Sequence, residues 1–227
     1  MVSFNLNTAF TEQDLQRFFA SGSNVVVAKP NGGGAPNVAW LVYRPLINNT
    51  ITWEEQYGIY ASNTDIARGG AVLNQISKSE FPAVGGKTYS LNPAGSFTAP
   101  QSGGGARGSY YAVNEYDNDK KYLTFGLYQN ATVNGDPAMG NAVSAAPVLY
   151  LSTAEMTPFT TVYLWIQSQV VSNTVITTVT SPMSHATFGG SVTSVSLDYD
   201  PSTGTFITAG DTDAESIQLG HIEPALL

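Results

Sequence analysis

Only one stretch of this chain can sustain a helical period, and it is short and early. Thr11 and Asp14, three residues apart, form a capping-box pattern with Asp in place of Glu. Leu15, Phe18 and Phe19 share a face, and Gly22 can end the turn. The spacing predicts a helix over 11–20. Beyond it the apolar residues come in short β-branched or aromatic runs broken by Gly, Pro and Asn: 25–28, 38–43, 50–53, 57–61 and 87–91. The second half continues in the same way with 123–128, 148–152, 162–171, 174–180 and 193–199. In the last of these, Val195, Leu197 and Tyr199 alternate with Ser194, Ser196 and Asp198, the period of a strand buried on one face. Asp200-Pro201-Ser202-Thr203-Gly204 then supplies a turn before 205–208, which predicts a hairpin.

Such a pattern predicts an all-β fold, an antiparallel β-sandwich with one short N-terminal helix. A chain of 227 residues is long enough for one large domain or two small ones. Residues 25–51 align without gaps on 149–175, an offset that suggests two related β units. The expected division is a unit over 1–98, a Gly/Pro-rich linker over 99–109 and an acidic unit over 110–227. Pro100 and the glycines at 103, 104, 105 and 108 interrupt every periodic signal in that linker.

Charge and missing residue types remove several functions. Residues 1–108 hold seven basic and six acidic side chains, whereas 109–227 hold two and eleven. An acidic half whose only cations are Lys120 and Lys121 repels phosphate backbones, so nucleic acid is not an expected partner. With no cysteine there are no disulfides, thiolate metal sites or thiol nucleophiles. No apolar run approaches the length of a membrane span, and residues 1–10 carry no secretory pattern. The expectation is a cytoplasmic protein. Neither His185 nor His221 has a nucleophile-elbow motif beside it. Glu54 and Glu55 are adjacent, so on a strand they point to opposite faces and cannot flank one glycosidic bond. The expectation is therefore a protein without enzymatic activity.

Two kinds of binding residue remain. Asp117 with Asp119, Asp198 with Asp200, and Asp211 with Asp213 are short clusters of hard oxygen donors, the ligand type that calcium prefers, although none has EF-hand spacing. Aromatic residues are the second lead. Trp40, Tyr43, Trp53, Tyr57 and Tyr60 crowd one window, and Tyr128 closes a second rich in tyrosine. Ring faces with a polar tip suit a pocket for a flat guest. Tyr57-Gly58-Ile59-Tyr60 and Phe125-Gly126-Leu127-Tyr128 share one form, whose glycine lets a neighbour approach the strand closely. Over 168–196, thirteen of the residues are Ser or Thr and six are Val, a composition that an amphipathic pore-lining hairpin would share.

The whole profile, 24.0 kDa with no cysteine, 12 tyrosines and scattered Asp clusters, resembles the pink chromoprotein-like soluble β proteins of mushroom fruiting bodies. That resemblance implies an intracellular β protein carrying a small indolone-type chromophore together with calcium. It transfers no site residue. The reading that follows is a non-enzymatic carrier of a small aromatic or pigment molecule, with Ca2+ nearby and a homodimer as its assembly. Alternatives from other classes are a fungal-type carbohydrate-binding lectin and a pore-forming defence protein.

Overall fold

The computed structural model describes residues 2–30, 32–102, 105–209 and 219–222. Within them the chain is mostly β, with one short helix and three sheets. Strand β1 (Ser3–Ala9) leads into helix α1 (Glu12–Ser21). Next come β2 (Ser23–Ala28), β3 (Leu41–Tyr43), β4 (Asn48–Glu54), β5 (Gly58–Ser62) and β6 (Gln75–Lys78). The middle of the chain forms β7 (Thr88–Leu91), β8 (Tyr110–Asn114), β9 (Tyr122–Val133), β10 (Asp136–Ala142), β11 (Ala146–Leu149) and β12 (Thr153–Met156). The remainder forms β13 (Thr161–Ser168), β14 (Met183–Thr187), β15 (Ser194–Asp200), β16 (Thr205–Thr208) and β17 (Leu219–Ile222).

The helix begins and ends where its sequence signals lie. The Thr11 hydroxyl accepts from the Asp14 N–H at 3.2 Å, the Asp14 carboxylate accepts from the Thr11 N–H at 3.2 Å, and Gly22 closes the helix at φ 65°. Phe18 is buried edge-on against Phe10 and Tyr199. Phe19 is not core: it stays exposed, with the Arg44 guanidinium 3.9 Å from its ring centre.

The largest sheet has nine strands in the order β16-β15-β1-β4-β9-β5-β6, with β10 and β11 also pairing with the long β9. A five-stranded sheet runs β17-β14-β13-β2-β3 and a three-stranded one β12-β8-β7. The expectation of purely antiparallel pairing needs correction, because β1 lies parallel to β15 and β7 parallel to β8. One edge of β1 is taken by β4, its antiparallel partner, and β15 fills the other edge from far along the chain. Parallel neighbours need a crossover between them. The Gly/Pro-rich 99–109 segment belongs to the crossover between β7 and β8, so it lies within one sheet's connection. Strands from both sides of it share the largest sheet, where β4 pairs with β9 over Ile51–Val133 to Trp53–Ala131.

The 193–199 and 205–208 segments form the expected hairpin, with Leu197 opposite Thr208. By contrast, 174–180 is no strand: it contributes only the isolated bridges of Thr174 to Val72 and Val175 to Val38. The Thr/Ser-rich 168–196 segment therefore runs from the end of β13 through irregular chain and β14 to the start of β15, and is not a continuous hairpin. Of the aligned segments, Leu41 to Tyr43 in β3 and Trp165 to Gln167 in β13 are both strand, whereas Val25 to Ala28 lie in β2 and their counterparts Tyr150 and Leu151 form a turn.

One buried cluster joins all three sheets, drawing Leu6 and Ile51 from the largest, Val27 and Leu164 from the second, and Tyr89 and Ala112 from the third. Strand β2 is buried on both faces. Val25 and Val27 enter this main core, while Val26 and Ala28 meet Trp165 and Met183 on the other side.

The two aromatic-Gly-aliphatic-Tyr segments turn out to be each other's partners. Strands β5 and β9 pair antiparallel with Gly58 opposite Tyr128 and Tyr60 opposite Gly126. Each tyrosine ring lies over the other strand's glycine. A Cβ on Gly58 would fall 2.2 Å from Tyr128 Cζ, and one on Gly126 would fall 2.7 Å from Tyr60 Cε1 and 1.9 Å from the Ser144 carbonyl oxygen. The bare glycine thus admits a ring across the pair and, at Gly126, a third segment of backbone.

Candidate functional site: a buried lysine at the wall of an apolar pocket

Lys29 follows β2 and keeps its register, so its side chain takes the inward direction of Val25 and Val27 and is 1% exposed. On the facing strand the same alternation runs from Ile51 and Trp53 to Glu55, which turns inward while Glu54 stays exposed. Lys29 Nζ donates to Glu55 Oε1 at 3.1 Å and to the Tyr57 hydroxyl at 2.9 Å. Tyr57 in turn donates to Glu55 Oε2 at 2.7 Å, and Trp53 Nε1 donates to Glu55 Oε1 at 3.1 Å. Three rings surround the ammonium, with Nζ 5.1 Å from the Trp40 centre, 5.5 Å from Trp53 and 5.1 Å from Tyr57. A desolvated cation among aromatic faces gains about 2 kcal/mol from their quadrupoles.

Burial and charge oppose each other here. Loss of water holds the Lys29 pKa down to about 8, against the pull of the Glu55 carboxylate and its hydrogen bond. Burial pushes the Tyr57 hydroxyl well above its ordinary range, and Glu55 adds to the same effect. Near neutral pH the cluster therefore holds an ammonium with a low-lying proton beside a phenol that keeps its own. Gln129 belongs to the same neighbourhood: its backbone carbonyl accepts from Trp40 Nε1 at 3.3 Å, its amide donates to the Glu54 carbonyl at 2.7 Å, and its buried Oε1 has no partner among the described residues.

Lys29 and Tyr57 form part of the wall of a pocket of about 370 Å³. The rest of the wall is mainly apolar, including Leu127, Val143, Val148, Ala154, Met156 and Phe159. Strands β11 and β12 supply one side and β9 the floor. The segment before β11 is held down on β9 by Ser144, whose carbonyl accepts from the Tyr60 hydroxyl at 2.7 Å and whose Oγ accepts from the Leu127 N–H at 3.1 Å. Gly126 makes that approach possible. A cavity of this size with a polar end and greasy walls can enclose one small, flat molecule and orient it by a single acceptor.

Of the aromatic residues singled out from sequence, Trp40, Trp53 and Tyr57 converge on Lys29, and Tyr57 and Phe125 line this pocket. Tyr43 is core, paired with the Thr8 hydroxyl at 3.0 Å. Tyr60 and Tyr128 lie together in a separate buried cluster, where Tyr128 donates to the Ser79 carbonyl at 3.1 Å. Sequence reasoning missed Lys29 and the pocket wall over 143–159. The signal for Lys29 was present: a lysine two residues past Val27, in the inward register of a strand.

The described acidic residues go to separate places. Asp117 pairs with Lys121, and Asp200 accepts from the Ser202 N–H and hydroxyl and from the Thr203 hydroxyl, bonds that hold its carboxyl below the usual range. Asp198 sits in β15 opposite Ile207. Asp119 lines an open cleft with Tyr116, Tyr122 and Asn63. Asp211 and Asp213 lie outside the described residues. Among the described residues, no three acidic or histidine side chains form a group that could hold a metal ion. No helix among them is long and apolar enough to cross a membrane. Comparison of the chain with protein-family models, with curated proteins and with solved structures gives no match in any of the three.

Proposed function

We propose that this chain is a non-enzymatic binding protein that holds one small aromatic or pigment molecule in the pocket beside Lys29 and Tyr57. The observation that carries this reading is a buried ammonium–phenol–carboxylate cluster at the edge of a mainly apolar cavity. Apolar walls desolvate the flat body of a guest, while the Lys29 ammonium beside Tyr57 supplies the positive charge that attracts one carbonyl or carboxylate oxygen. The sheets would pack face to face around it as a sandwich. A carbohydrate reading finds its support elsewhere, in the open cleft where two tyrosine rings stand beside Asn63 and Asp119.

Native mass spectrometry of protein purified without denaturation, together with its absorption spectrum, tests the proposal. One guest per chain is expected, released on unfolding and lost in an Ala146→Phe variant, because Ala146 is half-buried in the pocket wall. A folded Ala146→Phe variant that retains the guest would place it elsewhere and overturn the reading. Glycan binding lost in Tyr122→Ala but kept in Ala146→Phe would select the cleft instead.

A further inference from the structure

We infer that Lys29 Nζ is a covalent capture point, which condenses with the carbonyl of an aldehyde seated in the pocket to give an imine held beside Tyr57 and Glu55. The inference rests on the binding reading above and adds the reactive group of the guest.

Geometry supplies each requirement of the condensation. Lys29 and Tyr57 share the pocket wall with apolar side chains, and the amine nitrogen lies 2.9 Å from the Tyr57 hydroxyl and 3.1 Å from Glu55 Oε1. The Lys29 ammonium passes a proton to the Glu55 carboxylate, and the freed nitrogen lone pair adds to the carbonyl carbon. The carbonyl π electrons move to oxygen, which takes a proton from Tyr57 or Glu55 to give a carbinolamine. The nitrogen then returns its remaining extra proton to the cluster, the hydroxyl leaves as water on reprotonation, and a C=N bond replaces C=O. The sum is amine plus aldehyde giving imine plus water, with no oxidant or reductant. An apolar chamber favours the dehydrated product.

The chain's other lysines lack this setting. Lys78, Lys120 and Lys121 are exposed and Lys87 is half-buried, and only Lys29 lies inside an aromatic cage with a carboxylate and a phenol in reach. With its pKa held down to about 8, Lys29 has a much larger neutral fraction at pH 7 than an ordinary lysine. The titratable groups that bond to it are Glu55 and Tyr57, with Tyr110 behind Tyr57 at 6.0 Å between ring centres, and Glu155 lines the same pocket.

The test uses the full chain, cinnamaldehyde as probe, cyanoborohydride to fix any imine, and peptide mapping by mass spectrometry. One fixed adduct per chain at Lys29 is expected, ahead of Lys120 and Lys121 despite their exposure, with a rate that rises through about pH 8. Lys29→Arg keeps the charge and abolishes that adduct. Adducts distributed by exposure, with Lys29 unmodified, overturn the inference. Cinnamyl alcohol, which cannot form an imine, separates the two proposals by tryptophan fluorescence. Binding of the alcohol without capture of the aldehyde at Lys29 leaves the pocket and removes the covalent step. Absence of both removes the two together.

Discussion

Lys29 and Glu55 meet at 3.1 Å in a place where neither would be expected from composition, because each continues the inward register of a strand that is otherwise apolar. Their side chains differ in exposure, 2% for Lys29 and 21% for Glu55, so the lysine depends on the pair more than the glutamate does. Glu55→Gln leaves a buried ammonium without its counter-charge, and unfolding in urea should show a loss of about 3–5 kcal/mol. Lys29→Met should cost less, since Glu55 keeps Trp53 and Tyr57 as donors. The double variant should lose less than the two single losses added, a coupling that a double-mutant cycle measures directly.

Stability should change with pH in a direction set by the same lysine. Its folded pKa is held down to about 8, while an unfolded lysine titrates near about 10.4. Between those values the unfolded chain holds a proton that the folded chain has released, so stability rises with pH by up to about 3 kcal/mol from this group. The rise ends at the upper value. Above about pH 10, Tyr43, Tyr57 and Tyr60, pushed up by burial, stay neutral when folded and ionise when unfolded, and stability falls again. Urea titrations of the wild type and Lys29→Met across this range should differ in the rising limb and agree in the falling one.

The glycines facing tyrosines should tolerate no side chain. Gly58→Ala drives a methyl into the Tyr128 ring, and Gly126→Ala drives one into Tyr60 and into the Ser144 carbonyl. Overpacking of this kind costs about 1–3 kcal/mol where the neighbour can shift. Gly126→Ala should be the worse in a thermal melt, because backbone cannot rotate away. It should also weaken guest binding, since Ser144 shapes the pocket wall. Tyr128→Phe removes only the hydrogen bond to Ser79 and should cost about 1 kcal/mol.

Asp200 organises its turn through bonds from Ser202 and Thr203. Those bonds are made to the carboxylate, whose pKa they hold down, so they persist through the usual carboxylate range and are lost as pH falls below it. Asp200→Ala should speed amide hydrogen exchange over 202–204, read by exchange mapping with mass spectrometry, while leaving the aldehyde adduct at Lys29 unchanged.

Local signals in the sequence translated into structure where one segment decides the outcome. The capping box at Thr11, the glycine at Gly22 and the alternating run ending at Tyr199 each fix their own element. Pairing between distant segments was harder to see. Strand β1 carries a clear alternation, Phe4 and Leu6 inward, but it is short, polar on its outer face and easily read as coil. The repeated aromatic-Gly-aliphatic-Tyr pattern was visible as a likeness, and its cause, a strand pair in which each copy receives the other's ring, needed the register. The rings of Trp40, Trp53 and Tyr57 were legible as a crowd, whereas their focus on a lysine was not, because a lysine in a hydrophobic context is first read as the end of a strand.

The parallel pairing of β7 with β8 carries a mechanical consequence. Protease cleavage between Ala106 and Gly108 would cut the polypeptide in two without freeing either piece, since the first fragment's β4 and β5 remain laced to the second fragment's β9, and β1 to β15. The nicked chain should migrate as a single particle under native conditions and come apart only in denaturant.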